Sequence, residues 1–347
     1  MATKGYHQYR GRGRGGGKLP VILLLVVLLC AIVFLIGQRY IVYHDDGSVT
    51  IELPFFHQQQ TDPGDIPDDD VHIEYEDPDP DDTDPDEDTP VTLQVLQAYG
   101  LPYGCLNSDP ASLLADRTAV AVYMKNPDGT LSYQSSVSLP QGVGTGSSTT
   151  LTSLQTITGS DCYTVARITA LCDSTYAQAL PESAIRYTGG SLWWDNYSRC
   201  WLDGGSDAAR EYLCALAKEC ARLGFDEIVL EQFRYPIEGD LSATTAAEVA
   251  QRAAILQELA QAIREAAGPS VAVSILLPAS LDTDYSFQAS GLTAQMLQES
   301  FHRIYVPQDS SAYYWLDGAL DADFDRNTRL VLTADAPLGS GSYLVNP

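Results

Sequence analysis

From residue 118 onward, short apolar runs alternate with segments whose apolar residues recur at helical spacing. Thr118–Met124 (TAVAVYM), Cys162–Ile168 (CYTVARI), Asp226–Phe233 (DEIVLEQF), Ser270–Leu276, Phe301–Val306 and Arg329–Ala334 read as strands, and Tyr343–Val345 as a last one. Between them, residues 148–157, Ser206–Leu223 and Gly291–Ser300 read as helices. In the second of these Ala209, Leu213, Leu216, Cys220 and Leu223 form one apolar stripe that Gly224 stops. Thr245-x-x-Glu248 reads as a capping box opening a long Ala-rich helix, ended by Gly268-Pro269. Such alternation implies parallel strands joined by right-handed crossovers. Six or seven strands within residues 91–347 predict one α/β domain. A TIM-type (β/α)8-like barrel, irregular or incomplete on this strand count, stands first, and an open doubly wound sheet second.

The first 90 residues follow other patterns. Residues 19–37 (LPVILLLVVLLCAIVFLIG) carry no charge and would span roughly 28 Å as a helix, close to a bilayer core. Five basic residues precede the run within 1–18, and only Arg39 follows it closely. The expectation is a single-pass, uncleaved signal anchor in the cell membrane, with a basic cytoplasmic tail at 1–18 and the C-terminal domain extracellular. A cleaved signal peptide fits less well, because no A-x-A-like site follows Gly37. Within the juxtamembrane segment 38–60, Tyr40–Phe56 alternates apolar and polar positions around Asp46-Gly47, a hairpin signal. Residues 61–90 hold 15 acids, six prolines and no Lys or Arg, which predicts a disordered, extended Asp/Pro-rich stalk.

Charge and composition narrow the chemistry. The chain carries a net charge of -26, and residues 91–347 alone hold 28 acids against 14 basic residues. An acidic domain repels phosphate backbones, so no nucleic-acid partner is expected. His302 is the one histidine after residue 90, which excludes a multi-histidine metal site there, and no metal or cofactor is expected. There is no G-x-x-x-x-G-K-[ST] and no G-x-S-x-G motif. Gly142, Gly144 and Gly146 sit in a polar loop and read as a turn. Six cysteines follow the apolar run without a C-x-x-C, so most read as small buried residues.

Acid–base chemistry in this chain therefore rests on carboxylates, and in a parallel barrel functional groups sit at the C-terminal ends of strands. Glu231 ends an otherwise apolar strand, with Arg234, Tyr235 and Pro236 directly after it. It is either a catalytic carboxylate or a structural acid paired with Arg167 or Arg234. Asp173 follows the CYTVARI strand closely, and Asp173 and Asp203 are either partner acids or helix caps. Trp193 and Trp194 read as stacking platforms for sugar rings or as loop anchors in the core.

These residues resemble a known family. Gly224–Ile228 (GFDEI), with Glu231, Arg234 and Pro236 after it, is similar to the G-F-D-E-I-Q-F-D-Y-V-R-F-P segment of the DUF4015 glycoside hydrolase-like proteins. Val122–Gly129 with Tyr133 resembles that family's V-I-D-V-K-D segment, and Ala166, Arg167, Ile168 and Asp173 its A-R-I-x-x-F-x-D. The resemblance implies a barrel that handles carbohydrate. Taken with the reading of the residues above, the candidate catalytic residues are Glu231 and Asp173, and the candidate substrate-binding ones Arg167, Trp193, Trp194, Asp203, Arg234 and Tyr235. Several acidic motif positions are missing: Tyr123 and Asn126 replace two acids of the first segment, and VSILLPA at 273–279 lacks another.

The expected function is a bacterial membrane-anchored glycoside hydrolase acting on polysaccharide at the cell envelope. The alternative is a catalytically inactive carbohydrate-binding or scaffolding barrel descended from such enzymes. A third reading makes the acidic stalk the active part of an interaction protein.

Overall fold

The computed structural model describes residues 41–43, 49–51 and 91–347. The apolar run 19–37, the basic tail and the acidic stretch 61–90 lie outside the described residues. In the N-terminal unit, β1 (Ile41–Tyr43) pairs antiparallel with β2 (Val49–Ile51), Ile41 opposite Ile51. Among the described residues no helix is long and apolar enough to cross a membrane.

In the second unit eight parallel strands close a barrel in sequence order. They are β3 (Gln97–Gly100), β4 (Ala119–Lys125), β5 (Tyr163–Thr169), β6 (Glu227–Glu231), β7 (Ala272–Leu276), β8 (Ile304–Pro307), β9 (Leu330–Ala334) and β10 (Ser342–Val345). β10 pairs with both β9 and β3, which completes the ring. All eight strands of the barrel are thus present, and the open sheet is set aside. The strand the pattern did not show is β3. It has four residues (QAYG), begins on an exposed Gln97 and ends on a glycine, too little for a periodicity to register.

Alternate residues fill the barrel interior, as the period-two geometry of strands requires. Ala98, Ala119, Ala121, Val165, Val229, Tyr305, Val331 and Leu344 form that inner cluster. The larger core lies between barrel and helices, where the helix Asp207–Arg222 buries Ala209, Leu213, Leu216 and Cys220. Two helix expectations change. The long helix runs Val249–Ala267 with Glu248 itself at the N-cap and no side-chain cap; Thr245 Oγ1 instead accepts from the amide of Arg186, so no capping box forms. The stretch read as one helix at 291–300 is preceded by a separate helix, Asp284–Ser290, and starts only at Ala294. Gly291, in the left-handed region at φ 81°, ends the first, and Thr293 caps the second. The six described cysteines are all unpaired.

The barrel floor is tied by Glu227, fully buried at the start of β6. It accepts from the hydroxyls of Tyr163 (3.0 Å) and Tyr305 (2.9 Å) and pairs with Arg303 at 2.5 Å. Arg303 also donates to the carbonyl of Gln94 at 2.8 Å. Next to it, Asp226 accepts from the amide and hydroxyl of Thr164. GFDEI therefore serves the closed end of the barrel.

Candidate functional site

Clefts of about 680 and 690 Å³ lie on either side of Gly268 and Pro269, the first beside Val271 and His302 and the second beside Ser270, where β7 and β8 begin. Barrel chemistry resides at the opposite face, where the strands end. There the parity of β6 matters: Glu227, Val229 and Glu231 share one side of the strand, so the acid at residue 231 reaches the mouth as Glu227 reaches the floor.

Glu231 Oε1 is 2.5 Å from Arg167 Nε, a residue of the adjacent strand β5. The Arg167 guanidinium lies 4.0 Å from the ring centroid of Tyr123 on β4, and the Tyr123 ring stacks on Tyr103 at 4.1 Å. Four residues from four successive strands and their connections thus form one column at the mouth. Burial, and then the Glu231 charge, push the Tyr123 hydroxyl far above its usual range. Arg167 Nη1 is buried and, among the described residues, has no hydrogen-bond partner. Directly after Glu231, Gln232 holds a left-handed backbone, φ 51°, with its side-chain oxygen buried and unpartnered. Strain of this kind persists only where the surroundings enforce it.

Asp173 does not join this column. It is fully buried, caps the helix Ser174–Ala179 by accepting from the amide of Tyr176, and pairs with the equally buried Lys125 at 2.6 Å. A register shift between Tyr123 and Lys125 accompanies that pairing, and the Lys125 ammonium also lies 5.0 Å from the Tyr212 ring. With no atom open to solvent, Asp173 fits the helix-cap reading and not the partner-acid one.

The remaining candidates divide. Trp193 is 1% exposed, and its indole donates to the carbonyl of Asp240 at 2.9 Å. It is a loop anchor, while Trp194 is open to solvent. Arg234 is buried and grips Glu238 through Nη1 and Nη2, at 3.1 and 2.6 Å, with Trp201 beneath it. Tyr235 is buried, its hydroxyl 3.3 Å from Asp203. Burial raises the Asp203 carboxyl above its ordinary value. So Tyr235 supports the mouth from behind, and Arg234 is fixed in place by Glu238.

The loop that carries Trp193 and Trp194 also brings Asp195 and Trp201 to the site. Asp195 holds Arg199 and the Trp201 indole at 2.8 and 3.0 Å. Burial pushes the Asp195 carboxyl up, but the hydrogen bonds from Trp201, Arg199 and two backbone amides outweigh it and hold it below the carboxylate range. Glu238 behaves alike: burial raises it, and Arg234 with the Ile237 amide lowers it further. A cavity of about 400 Å³ opens above, between Tyr197 and Arg199 on one side and Pro278 and Ser280 on the other, with Gln232 and Arg234 lining it. The large exposed aromatics of the described residues are Tyr103, Tyr187, Trp194, Tyr197, Tyr285 and Tyr314. Tyr103 follows β3 and Tyr187, Trp194 and Tyr197 follow β5 in loops, whereas Tyr285 and Tyr314 lie in helices, Asp284–Ser290 and Ser311–Ala319.

Residues 114–280, from before β4 to past β7, match the DUF4015 family, described as "Putative glycosyl hydrolase domain". No curated protein matches the sequence. Among solved structures, a hypothetical protein from Ruminiclostridium thermocellum is 24% identical, covering 51% of this chain and 96% of its own, at a TM-score of 0.43. An alpha-galactosidase from Thermus thermophilus is 14% identical, covering 66% of this chain and 46% of its own, at 0.40. The glycoside hydrolase domain of PelA from Pseudomonas aeruginosa is 12% identical, covering 70% of this chain and 84% of its own, at 0.42.

Proposed function

We propose that the glycosyl hydrolase-type barrel matched over residues 114–280 binds polysaccharide at its mouth without cleaving it. The observation that carries this reading is the place of Tyr123. It lies against Arg167, itself paired with Glu231, where the resembled motif holds an acid. Glycoside hydrolysis ordinarily needs two carboxylates, about 5 Å apart for retention or about 6.5–9.5 Å for inversion. Here Asp173, Asp195 and Glu238 each end on a cation, and Asp203 on the Tyr235 hydroxyl. Tyr123 supplies no carboxylate there, and the exposed ring of Tyr103 stacked on it offers a surface to the C–H faces of sugars. The apolar run 19–37 and its basic flank support a single-pass anchor with the barrel outside the cell, and so a glycan of the envelope as ligand.

One observation favours residual hydrolysis. Glu231 bonds Arg167 through Oε1 alone, and among the described residues Oε2 has no hydrogen-bond partner. A carboxylate with one free oxygen could act as nucleophile or acid/base. The same experiment separates the two readings. Full-length protein in detergent is incubated with envelope and plant polysaccharides, and both pull-down and reducing-end release are measured beside Glu231→Gln. Binding without release is the expected result. Release by the parent that Glu231→Gln abolishes would make this an enzyme and sink the binding reading.

A further inference from the structure

Among the described residues four arginines are buried, and three of them meet a carboxylate: Arg167 pairs with Glu231, Arg234 with Glu238 and Arg303 with Glu227. Arg252 is the fourth. It stands near the start of the helix Val249–Ala267, is 7% exposed, and forms no ion pair among the described residues. Helical side chains lean towards the N-terminus, and this one reaches back past its own first turn. Its Nε donates to the carbonyl of Ala247 at 2.9 Å, and its Nη1 to the carbonyl of Ala289 on the helix Asp284–Ser290. The guanidinium lies 5.1 Å from the centre of the Tyr235 ring, while Nη2 makes no hydrogen bond among the described residues. Gly291 closes the packing: a Cβ there would come within 2.7 Å of Arg252 Cβ.

That position is electrostatically adverse. A helix N-terminus carries about half a positive charge, and its first amides have no partner within the helix. No side chain caps this one, and the amides of Val249 and Ala250 have no acceptor among the described residues. A desolvated cation beside them costs free energy unless an anion joins it. Burial accordingly pushes the Arg252 guanidinium below its ordinary value, even with Tyr235 and Glu248 nearby. The same elements wall a hollow of about 290 Å³: Arg252, the helix start at Ala247 and Val249, Ser242 and Thr244 from the β6 connection, and Tyr285. Tyr285 is the most exposed aromatic ring described, at 79%. Two acids limit what can enter. Asp240 and Glu248 also line the hollow, Asp240 turned onto the Ser242 amide at 2.9 Å and Glu248 forming no ion pair with Arg252. They disfavour a phosphate dianion. The domain's 28 acids against 14 basic residues likewise disfavour a polymer charged at every unit. A single carboxylate meets both limits.

We propose that this hollow is a subsite for one carboxylate-bearing sugar, a hexuronate, within an otherwise uncharged glycan. The carboxylate accepts from Arg252 Nη2 and from the amides of Val249 and Ala250, as anions at helix N-termini do. The sugar ring lies against Tyr285. The volume of about 290 Å³ suits roughly one sugar unit. The subsite stands apart from the Glu231 column, on residues to which no role has yet been given. From the glycan-binding reading above it takes only the sugar that carries the charge, and it adds to that reading a preference for acidic units.

The test uses full-length protein in detergent micelles. The probes are the methyl glycosides of glucuronic and galacturonic acid, those of glucose and galactose as neutral counterparts, and inorganic phosphate as the bare anion. Binding is titrated by ligand-observed NMR, with polysaccharide pull-down run beside it. One uronate is expected to bind about tenfold tighter than its neutral counterpart, and to weaken as salt rises. Arg252→Gln should lower that affinity about tenfold and leave the neutral glycoside unaffected. Tyr285→Ala, at an exposed ring, should lower it about fivefold with an unchanged melting temperature, so it reports even if Arg252→Gln destabilises the fold. Equal affinity for uronate and neutral glycoside, uronate binding that survives both substitutions, or phosphate binding as tightly as the uronate would overturn the subsite. Pull-down without uronate binding would strike the subsite alone. Uronate binding without pull-down would strike the polysaccharide reading and leave the subsite standing.

Discussion

Arg167 and Glu231 meet across β5 and β6 with Nε and Oε1 2.5 Å apart, and the guanidinium face rests on Tyr123. The side chains are 5% and 13% exposed, so the pair is largely desolvated. Removing one partner leaves the other charge without compensation. Arg167→Ala should therefore cost about 3 kcal/mol, read as a lower urea midpoint with unchanged slope. Glu231→Gln keeps the shape and should cost less.

Lys125 and Asp173 form the more deeply buried pair, with neither side chain exposed. Asp173→Asn keeps the oxygen that caps the helix Ser174–Ala179 but strands the ammonium. A loss of about 3–5 kcal/mol is expected in chemical denaturation. A wild-type midpoint would show that the pair contributes nothing beyond the cap.

The acids whose folded pKa values are depressed set the acid limb of stability. Asp195 and Glu238 are held low as described above. In Glu219, burial raises the carboxyl but Ser135, Ser136 and Tyr133 outweigh it. A group with a lowered folded pKa contributes stability that is complete above its unfolded value, about 4, and fades as pH falls through the folded one. Asp203, shifted upward, works against stability once ionised and partly offsets them. Melting temperature should be level between about pH 7 and pH 5 and drop below about pH 4. Glu219→Gln should flatten that drop.

Gly239 packs against Trp193, and a Cβ there would meet the indole Cζ2 at 2.6 Å. Gly239→Ala must displace a buried tryptophan, at a cost of about 1–3 kcal/mol. The change should appear in both the thermal midpoint and the native tryptophan fluorescence. An unperturbed emission spectrum would contradict the anchoring role given to Trp193.

Much of the barrel was legible because strands buried on both faces leave continuous apolar runs. β4, β5, β6 and β9 stood out that way, whereas β3 was too short. The site was legible only in part. Glu231 was visible as an acid at the end of an apolar strand, and the alternation of β6 fixed its side. Nothing in the sequence could separate Trp193 from Trp194, since adjacent residues of one loop take opposite fates according to what packs beneath them. The GFDEI motif, the firmest point of resemblance, marks the floor, because Asp226 and Glu227 hold Thr164 and Arg303 there. Tyr197 and Tyr285 carried no motif.

The floor network has a mechanical consequence. Arg303 links the Glu227 carboxylate to the carbonyl of Gln94, three residues before β3 begins, while β3 is bonded along its length to parallel β4 and β10. Tension applied to that stretch of chain would act along β3, and its rungs to β4 and β10 would be loaded together in shear instead of unzipping one at a time.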